Sequence, residues 1–143
     1  MFRKGISILE ILMVMSILSI LTIIFVNNLY LPRQFARVNN LERESDVKAI
    51  QIAINQYRID NNGQFPLGIT NSPLMICTPG CVEDSSKIDI LNDILSYIDS
   101  GEIPIDPTEE DSEITGYTVY VDSGGNVIVT AENAENNVII KTE

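Results

Sequence analysis

Residues 5–26 read GISILEILMVMSILSILTIIFV, and the rest of the chain takes its meaning from this stretch. It is apolar almost throughout, with Arg3 and Lys4 in front of it and one carboxylate, Glu10, inside it. From Ile6 to Val26 is 21 residues. As a helix they span ~32 Å, close to the ~30 Å hydrocarbon core of a bilayer. Lipid offers the backbone no hydrogen-bond partner, so a lone spanning segment must be helical. On hydropathy alone a signal peptide or signal anchor fits the run. A simple secretory signal, however, has only ~7–15 apolar residues followed by a small-residue cleavage site. This run is longer, and Phe25-Val26-Asn27-Asn28 follows it.

Glu10 decides the kind of anchor. A carboxylate at the centre of a membrane helix costs roughly 2.5 kcal/mol or more. Glu10 lies nearer the end, where the cost is lower, and it still calls for a positive partner. The positions one helical turn away are Ile6, Ser7, Met13 and Val14, none of them cationic. The partner must come from another chain or from a newly made amino terminus.

Arg3-Lys4-Gly5, then Ile6-Ser7-Ile8-Leu9-Glu10, then the long apolar helix resemble the class III signal of type IV pilins and type II secretion pseudopilins. The resemblance implies cleavage between Gly5 and Ile6 by a prepilin peptidase on the cytoplasmic side, and methylation of the Ile6 amine. It further implies assembly into a helical filament in which Glu10 neutralises the Ile6 amine of a neighbouring subunit. The implied partners are sister subunits, the peptidase, and an assembly ATPase acting through a platform protein. The subunit would sit in the inner membrane before assembly and in a surface filament afterwards. Ile6 stands where these families usually have Phe, and Asn27 where they often have Pro; Pro32 comes five residues later.

The charge is divided unevenly along the chain. Residues 1–43 hold Arg3, Lys4, Arg33, Arg37 and Arg43 against Glu10 and Glu42, a net of +3. Residues 44–143 hold four basic and eighteen acidic side chains, a net of −14. Arg3 and Lys4 place the amino terminus in the cytoplasm by the positive-inside rule, and Arg33 and Arg37 flank the other end, where lipid headgroups lie. So acidic a head does not grip nucleic acid, which needs cations to neutralise phosphates. The two cysteines, Cys77 and Cys81, enclose Thr78-Pro79-Gly80, a turn sequence that brings the sulfurs together. A disulfide suits an exported head. Free thiols are the alternative; a metal site is a poor one, because the chain has no histidine.

Taken in order, the chain divides into a leader (1–5), a hydrophobic helix (6–31), its amphipathic continuation (32–60) and a head (61–143). Asn27, Asn28 and Pro32 predict a kink within 28–32 of an otherwise continuous helix over 6–60, roughly 80 Å long. Val38, Leu41, Val47, Ile50, Ala53 or Ile54, and Tyr57 form a stripe expected to bury against the head. Ile52 and Ile59 fall off that stripe, either as ordinary helix-edge residues or as contacts to the next subunit. Asn61-Asn62-Gly63 ends the helix.

Residues 64–85 read as a loop. Ser86, with Asp89 three residues on, reads as the cap of a short amphipathic helix over 87–99. Residues 116–121, the turn Asp122-Ser123-Gly124-Gly125, and residues 126–131 make a β-hairpin, and 138–141 a third strand. The expected fold is therefore α+β. It has a long N-terminal helix, a short second helix and a roughly three-stranded antiparallel sheet with one face on the stripe. Ala53, Tyr57 and Asp60 followed by Phe65-Pro66 are similar to the A-x-x-x-Y-x-x-D and Y-P passage of pilins. Pro104, Asp106-Pro107 and Gly116-Tyr117 are similar to a later one.

No histidine, G-x-S-x-G, phosphate-binding loop or cysteine partner marks a catalytic centre, so the expected role is structural and non-enzymatic. The densest acidic cluster is Asp106, Glu109, Glu110, Asp111 and Glu113. It reads either as a solvated loop or as a calcium site, since calcium takes oxygen ligands from such loops. Major pseudopilins resemble it in carrying calcium in this half of the head. Three roles remain open: a pilus-type filament subunit, a secretion pseudopilin, and a permanently anchored, extracytoplasmic calcium-binding domain.

Overall fold

A computed structural model describes residues 7–28, 31–82, 84–136 and 138–142. The chain forms two compact units, Met1–Phe35 and Ala36–Glu143. The first contains helix α1, Ile8–Asn28, and the start of α2, Leu31–Asp60. The residues between the two helices lie outside the described ones, and with them much of the segment where a kink is expected.

Ile8–Val26 is the one described helix long and apolar enough to cross a membrane. None of its side chains is buried. The hydroxyls of Ser16, Ser19 and Thr22 donate to the carbonyls of Met13, Met15 and Leu18, each at 2.8 Å. Their polarity is therefore satisfied inside the helix, which lipid requires of any polar group it surrounds.

In the second unit α2 buries Ala36, Arg43, Val47, Ile50, Ala53 and Ile54. In the lower half of the expected stripe Val47, Ile50, Ala53 and Ile54 are buried and Tyr57 half-buried; its upper half is exposed. Val38 and Leu41 face outward, while the inner positions at that level belong to Ala36 and Arg43. Polar side chains take the inner face there because the loops packed on it supply them with partners. Ile52 and Ile59 are exposed, as their position off the stripe requires. The helix ends where expected: Asn62 and Gly63 both adopt the left-handed conformation, and the Gly63 N–H donates to the Arg58 carbonyl at 2.7 Å.

The sheet has five strands rather than three, in the order β2-β1-β3-β4-β5. These are β1 Leu74–Cys77, β2 Lys87–Ile88, β3 Ile114–Val121, β4 Val127–Ala131 and β5 Ile140–Lys141. The β1–β2 pair is parallel and the others antiparallel, so the sheet is mixed. The hairpin β3–β4 runs from Tyr117 opposite Ala131 to Val121 opposite Val127. Its turn is held by the Asp122 carboxylate, which accepts the N–H groups of Gly124 and Asn126 at 2.8 Å. Tyr117, Val119, Val127 and Val129 pack with Val47, Ile50 and Ile54 of α2, Ile76 of β1 and Ile90 and Ile94 into one core.

Two expectations fail in the span 64–99. Residues 64–85 contain β1, and the helix expected over 87–99 shrinks to α3, Leu91–Ile94, followed by a 3-10 turn over Leu95–Tyr97. Ser86 does not cap it. The Asp84 carboxylate takes the Ser86 and Lys87 N–H groups, which releases Lys87–Ile88 to pair beside Met75–Ile76. The Asp89 carboxylate then accepts the Leu91 N–H at 3.0 Å, where α3 begins. Of the helically spaced Ile88, Leu91, Ile94, Leu95 and Ile98, all are buried except Leu95, which is exposed, and Ile88 is buried from a strand. Cys77 and Cys81 are disulfide-bonded with Cα atoms 5.8 Å apart, so neither is a free thiol or a metal ligand. The bond closes the end of β1 on itself, and so small a loop contributes about 2 kcal/mol.

Candidate functional site

Chemistry-bearing side chains gather in two places, one in each unit. In the first, Glu10 sits in the first turn of α1, and Ser7 opens that turn by accepting the N–H groups of Glu10 and Ile11 at 3.0 and 3.2 Å. The carboxylate lies in a shallow hollow with Ile11, Val14 and Met15. No described side chain bonds to it. Gly5 and Ile6, the expected processing pair, lie outside the described residues.

The second is a buried polar knot that the sequence did not announce. The Arg43 guanidinium holds both oxygens of Asp106, Nε to Oδ2 at 2.7 Å and Nη2 to Oδ1 at 3.0 Å. Both side chains are fully buried. The remaining donors reach Thr108 Oγ1 at 2.7 Å, Asn40 Oδ1 at 2.8 Å and Glu135 Oε1 at 3.4 Å. Asn39 and Asn40 add bonds to the Glu135 side chain and backbone. The knot thus ties α2 to the loop before β3 and to the loop after β4. Gly116 makes room for it. Its φ is +80°, and a Cβ there would stand 2.6 Å from Asp106 Cβ, too close for any other residue.

Beside the knot the Tyr117 hydroxyl donates to Asp46 Oδ2 at 2.6 Å. Burial raises the Asp46 carboxyl above its ordinary pKa. The Tyr117 bond works against this, while Glu42 and Asp106 add to it. Burial also drives the Tyr117 phenol far upward. A carboxyl whose pKa is raised in the fold weakens that fold as pH climbs from the unfolded pKa through the folded one. Asp46→Asn keeps an acceptor for Tyr117 and removes the charge. It is expected to unfold at higher urea than the parent at pH 7, with the difference vanishing near pH 3. Equal midpoints at both pH values would show that Asp46 is well solvated.

The structure scatters the calcium candidates. Asp106 is engaged by Arg43. Glu109 accepts the N–H groups of Glu110 and Asp111 and bonds to Asn133. Asp111 accepts the Glu113 N–H, and Glu113 pairs with Lys87 at 3.0 Å. Glu110 points to solvent. Among the described residues no group of three or more such side chains is arranged to hold a metal ion. These carboxylates fold their own loop.

Arg43 was legible in one respect. The positions 36, 40, 43, 47, 50 and 54 recur in steps of four and three, and Arg43 falls on that line. A cation on a buried stripe demands a carboxylate partner, and the sequence does not say which of twenty it is. Compared with protein families, curated proteins and solved structures, the chain matches none.

Proposed function

We propose that this chain is a structural subunit of a type IV pilus-like helical filament, cut between Gly5 and Ile6 and polymerised through α1. One observation carries the reading. A helix apolar on every side, with no buried side chain over Ile8–Val26, bears a single carboxylate in its first turn and precedes a small α+β head. Such a helix is at rest in lipid or among other apolar helices, and Glu10 supplies the reason to exchange one for the other. A carboxylate in hydrocarbon gains by docking beside a cation. The amine exposed by cleavage four residues earlier on a sister chain is such a cation. The acidity of the head favours its solubility.

Mass spectrometry of the mature chain tests this directly. Loss of residues 1–5 with one added methyl on Ile6 is the expected result. A chain that keeps its initiator methionine is a permanent membrane anchor instead, and the filament reading fails. If the chain is cut, electron microscopy of sheared cells separates a pilus, seen as long fibres, from a secretion pseudopilus, which sheds none.

A further inference from the structure

Within the second unit two unlike surfaces complement each other, and we propose that the first docks into the second on a neighbouring copy of this chain. The inference rests on the filament reading above and names the contact between heads. The first surface is the outer face of α2 around Arg37, Val38 and Leu41. Val38 and Leu41 are each 59% exposed although both are branched aliphatics on a helix that buries its other face. Arg37 is exposed and forms no ion pair with any described residue. The second surface is a groove of about 410 Å³. Pro79 of the disulfide loop, Leu91, Leu95 and Ile105 give it apolar walls, and Asp89 and Glu102 stand on its rim. Leu95 and Ile105 are 37% and 50% exposed, and among the described residues no lysine or arginine lines the groove.

Charge selects the occupant. An acidic rim repels most of a head that carries −14 over residues 44–143. It does not repel residues 36–41, which hold Arg37 and no acid. Elsewhere on α2 the exposed cation Lys48 already pairs with Glu44 at 2.8 Å. A second copy therefore enters by its Arg37 segment: Val38 and Leu41 cover the apolar walls, and Arg37 meets Glu102 at the rim. Used head to tail, each copy gives one surface to the next and receives the other from the one before, a heterologous contact that builds an open array where its rotation does not close. Rim charges of this kind set register and encounter rate more than total affinity.

A charge-swap cycle on the full-length chain in detergent micelles tests the contact. Self-association is read by sedimentation, and unchanged thermal melts show that the head is intact. Arg37→Glu and Glu102→Arg are each expected to weaken association about tenfold, and the double variant to recover to within about threefold. Single reversals without effect, or a double variant no better than the singles, overturn the proposal. So does an Arg37→Glu chain that loses binding to anionic-lipid vesicles while associating normally, since Arg37 then serves lipid headgroups. The two levels fail separately. A chain cut after Gly5 that builds fibres in both single variants overturns the docking alone. An uncut chain whose double variant recovers association overturns the filament reading alone and leaves the docking standing.

Discussion

Replacing Asp106 by alanine is expected to lower the stability of the head by about 3–5 kcal/mol. The substitution leaves the Arg43 guanidinium in place, fully buried, with its two best acceptors gone. The loss is dominated by the stranded charge and not by the contact itself, because removing one partner leaves the other buried and uncompensated. The pair of changes Arg43→Met with Asp106→Leu removes both charges and is expected to regain most of the loss. Urea denaturation of the full chain in detergent measures all three midpoints. A loss below about 1 kcal/mol for Asp106→Ala would mean that water reaches the guanidinium. The pH dependence gives a second readout. Burial pushes the Asp106 carboxyl up, but the bonds from Arg43 and Thr108 outweigh it, and the net shift is downward. Stability from a lowered carboxyl is present above the unfolded pKa and is lost as pH falls through the lower folded value. Asp46 acts in the opposite sense. The parent should therefore lose stability on the acid side of its profile, and that acid limb should be shallower in Asp106→Ala.

What the sequence revealed and what it hid follow one physical division. Long or strictly periodic segments were legible because each position repeats the same message. The apolar run of α1, the lower half of the α2 stripe, the Asn62-Gly63 stop and the β3–β4 hairpin all lie in such segments. β1 and β2 have four and two residues, too few for alternation to register, and β2 exists only because Asp84 diverts the backbone that Ser86 seemed to cap. The inversion at Val38 and Leu41 has a different cause. Hydrophobicity favours burying them, but Asn39, Asn40 and Arg43 collect bonds from two distant loops and take the inner face instead. Nothing local in 36–43 foretells partners at Asp106 and Glu135. The acidic cluster stayed open between a solvated loop and a calcium site for the same reason: its carboxylates were visible, their bonds to Arg43, Lys87 and neighbouring N–H groups were not.

Glu10→Ala is expected to reduce filaments at least about tenfold while leaving membrane insertion and the fold of the head unchanged. In the parent the carboxylate lies on an apolar helix with Ile11, Val14 and Met15 around it. At an effective dielectric of about 20, opposite charges ~4 Å apart attract by roughly 4 kcal/mol. In the proposed filament that gain would recur at each subunit added and fall away if the stack slipped by a turn, so it would act on register as much as on affinity. Alanine improves the helix as a lipid-spanning segment, because it removes the cost of holding a carboxylate there. The mutant subunit thus has less reason to leave the bilayer and no charge to select its place in the stack. Glu10→Gln separates the two contributions: glutamine keeps a hydrogen-bonding group of the same length and loses the charge. Counting fibres by electron microscopy, with membrane content as the control, should give similar deficits for both variants. Fibres restored by glutamine but not alanine would assign the role to hydrogen bonding. Fibres of parental abundance from both would leave the α1 stack without the force proposed to set its register.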